Sequence, residues 1–112
     1  MSAPHLNRRL VLEAPDMVSD GAGGFAKGWV PLGILWGSVA QRSGRETALS
    51  GAPVTRMRFR ITVRAAPMGS DQRPAAQQRF REGGRIFTIE AVAEADATGR
   101  YLTCFAQEEQ VV

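Results

Sequence analysis

Residues 55–65 read TRMRFRITVRA, an almost unbroken alternation of polar and apolar side chains. Successive side chains of a β-strand point to opposite faces, so this pattern predicts a half-buried strand. One face of the predicted strand is apolar and the other is basic. The apolar face carries Met57, Phe59, Ile61 and Val63, and the basic face carries Arg56, Arg58, Arg60 and Arg64. The strand favours a mainly β fold and shows where positive charge is concentrated.

The rest of the chain consists of short extended segments separated by stretches rich in glycine and proline. The turn at 82–84 joins two of these segments and is typical of a tight hairpin. We expect about six strands and little helix, in a small antiparallel β-barrel or sandwich with one long projecting loop. Residues 1–112 would form one domain, with 1–5 as a flexible tail. The other predicted strands are 6–14, 29–41, 78–81, 85–92 and 100–108, and the predicted loops are 15–28, 43–54 (with one possible helical turn at 45–49) and 66–77.

Charge is unevenly distributed although the net charge is only +3. Residues 42–85 hold ten arginines against three acidic residues, and residues 86–112 hold five acidic residues against Arg100. A basic middle and an acidic C-terminal part favour either cross-strand ion pairs or contacts between copies of the chain. Arginine suits phosphate and carboxylate recognition, and a GC-rich genome also favours it.

Few residues in the chain suggest enzymatic chemistry. The sole histidine is His5, near the N-terminus, and the sole cysteine is Cys104, in a predicted strand where it would fill apolar space. One His and one Cys cannot make a His/Cys zinc site, and no Ser-His-acid set is evident. Residues 21–26 match a loose G-x-G-x-x-A pattern, but no helix is predicted after them as a dinucleotide site requires. We expect no catalytic residue, metal or cofactor.

The sequence gives no sign of membrane association. The longest apolar stretch, Val30–Trp36, is far too short to span a bilayer and contains Pro31 and Gly33. The N-terminus lacks the apolar core of a secretory signal. We therefore expect a soluble protein that is made in a reducing compartment.

The four arginines of the predicted strand allow two interpretations. They are either a solvated face paired with Glu90, Glu94 or Glu108 on neighbouring strands, or a surface that follows a nucleic-acid backbone without reading sequence. Exposed stacking aromatics, which a single-strand binder needs, are not evident. Phe87 and Phe105 alternate like core residues, and Trp29 and Trp36 are candidates for the core or for a contact between subunits.

Several weak motifs occur in an order that resembles one family. In order they are LNRRL at 6–10, DGAGG at 20–24, Trp29, LWGSV at 35–39, GRE at 44–46, the arginine strand and GRIFTI at 84–89, with a last strand near Glu108. Taken together, residues 6–109 resemble the head–tail joining proteins (head-closure or adaptor, stopper-type) of long-tailed phages and gene transfer agents. The resemblance rests on order and spacing, since no single motif is specific.

The resemblance implies a small β-barrel whose copies form a ring, typically a hexamer, at the particle neck. The ring would lie between the portal or adaptor protein and the tail terminator or tail tube protein, and would surround the channel for double-stranded DNA. In stopper-type relatives the loop at the position of 43–54 projects into that channel. The residues carried over to a gating loop are Arg42, Gly44, Arg45 and Glu46.

We therefore predict a structural head–tail connector, assembled in the host cytoplasm and bound to DNA without sequence preference. Two other functions fit the sequence. One is a stand-alone nucleic-acid-binding barrel of the OB type, and the other is a tail-completion protein of the same kind of particle. An OB-type protein would hold single strands tightly, whereas a joining protein would bind free DNA weakly and assemble on a portal or tail partner.

Overall fold

A computed structural model of the protein covers the backbone of residues 4–49 and 52–111. Within these ranges the side chains of Val18 and of residues 43–49, 52–55 and 109–111 are not described. The described chain forms six antiparallel strands, which close into a barrel in the order β1-β2-β3-β6-β5-β4. The predicted all-β class is confirmed. The strands are β1 (Arg8–Ser19), β2 (Phe25–Leu49), β3 (Ala52–Arg64), β4 (Arg79–Glu82), β5 (Arg85–Glu94) and β6 (Tyr101–Val111).

The barrel interior is filled by the apolar face of each strand. Phe59, Ile61 and Val63 are buried while Arg58 and Arg60 are exposed, so the alternation predicted for the arginine strand is confirmed. The rings of Phe59 and Phe87 pack edge to face with their centres 5.1 Å apart. The largest fully buried side chains are Phe80, Phe87, Leu10, Leu12, Ile61, Ile89, Leu102, Val63 and Cys104.

The segment predicted as a loop at 15–28 is a β-hairpin, so that prediction is wrong. β1 runs on to Ser19 and pairs with β2 from Phe25 onward, and only residues 20–24 form the turn. Asp20 holds the turn because its carboxylate accepts hydrogen bonds from the backbone N–H groups of Ala22 and Gly24, at 2.8 and 3.1 Å. The prediction took the glycines as the sign of a loop. Backbone hydrogen bonds between strands form without an apolar alternation of side chains, so the hairpin left no such pattern in the sequence.

The segment 43–54, predicted as irregular, also consists of paired strand wherever it is described. β2 extends to Leu49 and β3 begins at Ala52, with Gly44 opposite Met57 and Glu46 opposite Thr55. The possible helical turn at 45–49 is therefore wrong. We call these paired ends of β2 and β3 the β2–β3 hairpin; β6 pairs along β3 as far as Val54, so the hairpin belongs to a three-stranded extension of the barrel wall. The register shift where the hairpin begins leaves Arg42 without a partner on β3.

β2 carries a β-bulge beside Pro31. Leu12 and Glu13 of β1 pair with Gly33 and Pro31, so Leu32 is the extra residue. The side-chain amide of Gln72 donates to the carbonyl of Leu32 at 3.1 Å. A Cβ atom on Gly33 would collide with the side-chain amide of Gln72, so this flexible side chain would have to shift.

No part of the described chain is a helix of the length and apolar character needed to cross a membrane. The predicted flexible tail, residues 1–5, falls mainly on residues outside the described range. Pro4 and His5, which are described, carry no regular secondary structure.

Candidate functional site

Four arginines lie together on the outside of the barrel wall formed by β2, β3 and β6. Arg58, Arg60 and Arg64 project outward from β3, which is flanked by β2 on one side and β6 on the other. Arg42 comes from the bulge of β2. We call these four residues the arginine face. Successive outward positions of a strand are about 6.6 Å apart, so Arg58 and Arg60 present neighbouring guanidinium groups.

Two members of the arginine face lie over aromatic rings. The guanidinium carbon of Arg42 is 4.9 Å from the ring centre of Phe105, and that of Arg64 is 5.6 Å from the ring centre of Tyr101. The prediction that Phe105 is a core residue is therefore wrong, because it lies outside and half-buried beneath Arg42. The bulge at Arg42, which sequence periodicity does not reveal, brings the two residues together.

The acidic partners suggested for these arginines lie elsewhere in the described structure. Glu108 is buried and accepts two hydrogen bonds from Arg85 rather than from β3. Glu90 and Glu94 lie on β5, which is separated from β3 by the whole of β6. Among the described side chains, Arg58 and Arg60 form no ion pair.

Arg56, the first arginine of the row, has different surroundings. Its side chain is half-buried, and its backbone lies opposite Arg45 on β2 and Glu109 on β6. The side chains of Gly44, Arg45 and Glu46, the other predicted gating residues, lie outside the described part of the chain. The structure thus groups Arg42, Arg58, Arg60 and Arg64 and leaves the gating assignment as a prediction.

A second group of charged residues, which we call the barrel-end network, closes one end of the barrel. Arg8 donates to Glu82, with its Nε 2.6 Å from Oε2, and Arg85 donates to Glu108 through Nε and Nη2 at 2.8 and 3.0 Å. The Arg85 guanidinium carbon also lies 4.8 Å from the ring centre of Phe87. The hydrogen bond from Arg8 lowers the pKa of Glu82, against the opposing effect of burial.

A third group surrounds Trp29. Arg79 and Arg81 donate to the buried carboxylate of Glu13 at 2.7 and 3.0 Å, and the Arg79 guanidinium carbon lies 4.0 Å from the ring centre of Trp29. Burial raises the pKa of Glu13, but the hydrogen bonds and charges of the two arginines outweigh it and lower the pKa. Trp29 is half-buried in this cluster, whereas Trp36 is 53% exposed on β2.

No group of three or more metal-ligating side chains occurs among the described residues. Cys104 lies in the core, where burial raises the pKa of its thiol to about 12. The groups with chemical interest that the described residues bring together are the three arginine-containing clusters above.

Sequence comparison identifies the family. The sequence model of the phage head completion protein matches residues 1–109. The chain belongs to the phage head completion protein family. A solved chain from a structure described as the virion of a native gene transfer agent particle is 51% identical to this head completion protein. The two superpose with a TM-score of 0.87 over 98% of this chain and 100% of that one. No curated protein matches it.

Family membership confirms the predicted resemblance to head–tail joining proteins and places this head completion protein among structural components of phage-like particles. The family is not a class of enzymes.

Proposed function

We propose that this head completion protein forms a ring, of six copies, at the neck of a phage or gene-transfer-agent particle. The ring lies between the portal or adaptor protein and the tail terminator or tail tube protein, and surrounds the channel for double-stranded DNA. The observation that carries the proposal is the arginine face on a chain of this family. Two of its members, Arg58 and Arg60, have no described acidic partner, so their positive charge is free to act on an external anion.

The chemistry of the arginine face suits DNA that moves through a channel. Phosphate contacts position a protein on DNA without reading sequence, and they weaken steeply as salt rises. Guanidinium groups bind phosphate oxygens with two parallel hydrogen bonds. Because Phe105 and Tyr101 lie half-buried beneath Arg42 and Arg64, they offer no open ring for base stacking.

The β2–β3 hairpin is the element we assign to the channel gate. It continues two strands that carry members of the arginine face, and Arg42 and Arg58 lie where it leaves the barrel wall. A paired arm of this kind resists bending better than an irregular loop of the same length. The hairpin, with Gly44, Arg45 and Glu46 on β2, would line or narrow the channel.

The two other functions predicted from the sequence have less support. Membership of a head completion family favours the head side of the junction over a tail-completion protein. An OB-type single-strand binder would need exposed aromatics among its arginines. Of the strongly exposed aromatics on β2, Phe25 lies beside the 20–24 turn, and Trp36 borders the arginine face at Arg64 but not at Arg58 or Arg60.

The position in the particle is tested by tagging the chain in its native producer and locating the tag. We expect electron microscopy to place the tag at the neck, and mass spectrometry to find portal and tail proteins in the same purified particles. Removal of the chain should leave heads and tails that do not join. A tag found only on tails, or purification with nucleic acid alone, would contradict the proposal.

The DNA-facing role is tested separately with the double variant Arg58→Gln/Arg60→Gln. Binding of the purified protein to double-stranded DNA should weaken, and the slope of log K against log salt should become shallower by about 0.9 for each phosphate that the variant no longer neutralises. Arg100→Gln is the matched control, because Arg100 is exposed but pairs with Asp96 at the 96–99 turn. If Arg100→Gln weakens DNA binding as much for its one lost charge as the double variant does for each of its two, only net charge matters.

A further inference from the structure

The ribbon formed by β1 and β2 carries an apolar stripe along one face, interrupted in its middle by Glu13 and its partners Arg79 and Arg81. Cross-strand partners lie on the same side of a sheet, and here they are Arg9 with Trp36, Val11 with Ile34, Met17 with Lys27 and Ser19 with Phe25. Four large apolar side chains of this face are 48–68% exposed: Met17, Phe25, Ile34 and Trp36. Large exposed apolar patches on small proteins mark interaction sites.

One end of the stripe forms a groove on the barrel. The groove has a volume of about 420 Å³ and lies between β2 and the segment that follows β3. Its apolar lining includes Ile34, Trp36 and Ala66, and Arg64 contributes a positive charge to its wall. Arg9, also exposed, lies opposite Trp36. The groove is thus an apolar surface with a basic rim.

The other end of the stripe lies on the β1–β2 hairpin, residues 14–30. β1 pairs with β4 only as far as Glu13, so beyond that residue β1 and β2 form a ribbon of two strands alone. Its six residue pairs extend about 20 Å beyond the barrel wall. The hairpin carries exposed Met17 and Phe25 on the face that also bears exposed Lys27, whose ammonium group lies 5.5 Å from the ring centre of Trp29. Its exposed carboxylates are Asp16, on the opposite face, and Asp20, in the turn, so the rim of the apolar surface is acidic overall.

We propose that the β1–β2 hairpin of one copy docks in the groove of the next copy, a contact that repeats around the ring. Apolar side chains would meet at the centre, and the acidic rim of the hairpin would meet the basic rim of the groove, the usual anatomy of a protein interface. An isolated two-stranded ribbon is marginally stable in water, so docking would also stabilise the hairpin. Two different surfaces that complement each other give a head-to-tail contact, which closes into a ring when the rotation permits.

Pro15 in the hairpin and Pro31 next to it favour docking through side chains over backbone pairing with a further strand. Pro15 lies on β1 and Pro31 on β2, and neither has an N–H group to donate to a further strand. The right-handed twist of a two-stranded ribbon, increased by the bulge at Leu32, rotates the hairpin relative to the groove. One copy can therefore present its hairpin to a groove that faces a different direction.

Disulfide trapping in assembled particles tests the contact, which rests on the proposed ring. The double variant Phe25→Cys/Ile34→Cys should give a ladder of covalent multimers after mild oxidation, whereas each single variant should stay monomeric on a non-reducing gel. Phe25→Cys/Thr88→Cys is the matched control, because Thr88 is exposed on β5 away from both surfaces. The native Cys104 is buried and should not react.

Three results would overturn the contact. A single variant that cross-links to itself would show a symmetric contact, and a cross-link to another virion protein would identify a different partner for the hairpin. Normal particles that contain the double variant but yield no ladder would disprove the contact while leaving the head completion role intact. Wild-type chain absent from particle necks would instead disprove the proposed function.

Charge exchange covers the case in which a cysteine variant fails to enter particles. Asp16→Arg and Arg9→Glu should each lower the number of copies per particle, and the two changes together should restore it, because the exchanged charges again attract. A double variant no better than either single variant would contradict the proposed rims. Circular dichroism of each purified variant separates this effect from misfolding.

Discussion

Two groups of arginines in this protein differ in their surroundings and in their expected role. In the barrel-end network, Arg8 and Arg85 bind carboxylates that are largely removed from solvent. On the arginine face, Arg58 and Arg60 project into solvent without a described acidic partner. The first group answers a problem of folding, since a buried carboxylate is costly unless it is paired. The second group has no such task, which leaves it available for binding.

The largest effect expected from this comparison is a loss of protein stability when the barrel-end network is broken. Glu108 is only 5% exposed, and its removal in Glu108→Ala leaves Arg85 without its two hydrogen bonds. Because Arg85 remains 43% exposed and can be hydrated, we expect the free energy of unfolding to fall by about 2 kcal/mol, below the range for a fully buried pair. Urea denaturation should show a lower midpoint at unchanged slope.

Glu90→Ala is the matched control for that variant. Glu90 is an exposed carboxylate on the same barrel, and surface changes of this type alter stability by about 0.5 kcal/mol or less. If Glu108→Ala and Glu90→Ala unfold at the same urea concentration, the network does not stabilise the fold and the distinction between the two groups fails.

Sequence periodicity predicted Arg58, Arg60 and Arg64 of the arginine face, but neither its fourth member, Arg42, nor the barrel-end network. The alternation in 55–65 is local, so the outward direction of Arg58 and Arg60 follows from strand geometry alone. The pairing of Arg8 with Glu82 joins residues 74 positions apart and depends on barrel closure between β1 and β4. No local pattern encodes such a contact.

The hairpins show a second limit of sequence reasoning. Glycines at 21–24, 44 and 51 suggested irregular loops, yet 15–19, 25–28, 43–49 and 52–54 belong to paired strands. The prediction for Phe105 chose the wrong face of β6: Phe105 lies between buried Cys104 and Ala106 and opposite outward Arg60, and Arg42 covers its ring. For the candidate site, the sequence predicted the arginines and missed the surfaces that border them.

A smaller loss of stability is expected at low pH, and it should come from protonation of the paired carboxylates. Glu82 and Glu13 have pKa values lowered from 4.5 in the folded protein. The unfolded chain therefore binds more protons than the native state as pH falls below about 5, so stability is complete above that pH and is lost as pH falls through the folded values. Urea midpoints between pH 6 and 3 measure this decrease.

The variant Arg8→Gln sharpens the acid experiment. It removes the hydrogen bonds that lower the pKa of Glu82, so the difference in stability between pH 6 and pH 3 should become smaller than in the wild type. Arg58→Gln should leave that difference unchanged, because no described carboxylate depends on Arg58. Equal pH dependence in wild type and Arg8→Gln would show that the Arg8–Glu82 pair does not control the acid response.

Arg42, a member of the arginine face, combines features of both groups, because its side chain is exposed and its guanidinium packs on the ring of Phe105. Its guanidinium over Phe105 forms a cation–π contact, which at an exposed site stabilises by about 0.5–1 kcal/mol. Arg42→Gln should therefore lower the urea midpoint slightly, and Phe105→Leu should remove the sensitivity to that change. If Arg42→Gln destabilises Phe105→Leu as much as wild type, the ring does not contribute to holding Arg42.

The smallest effect on stability is expected at Arg58 and Arg60. Their double replacement by glutamine shortens the outward side chains but keeps them polar, and it removes no described ion pair, so the free energy of unfolding should change by no more than about 0.5 kcal/mol. A clear gain in stability would indicate that the two positive charges repel each other when nothing neutralises them, as expected of a surface kept basic for an external anion. A decrease above about 1 kcal/mol would instead show that these arginines support the fold, and the DNA-facing role would lose the observation on which it rests.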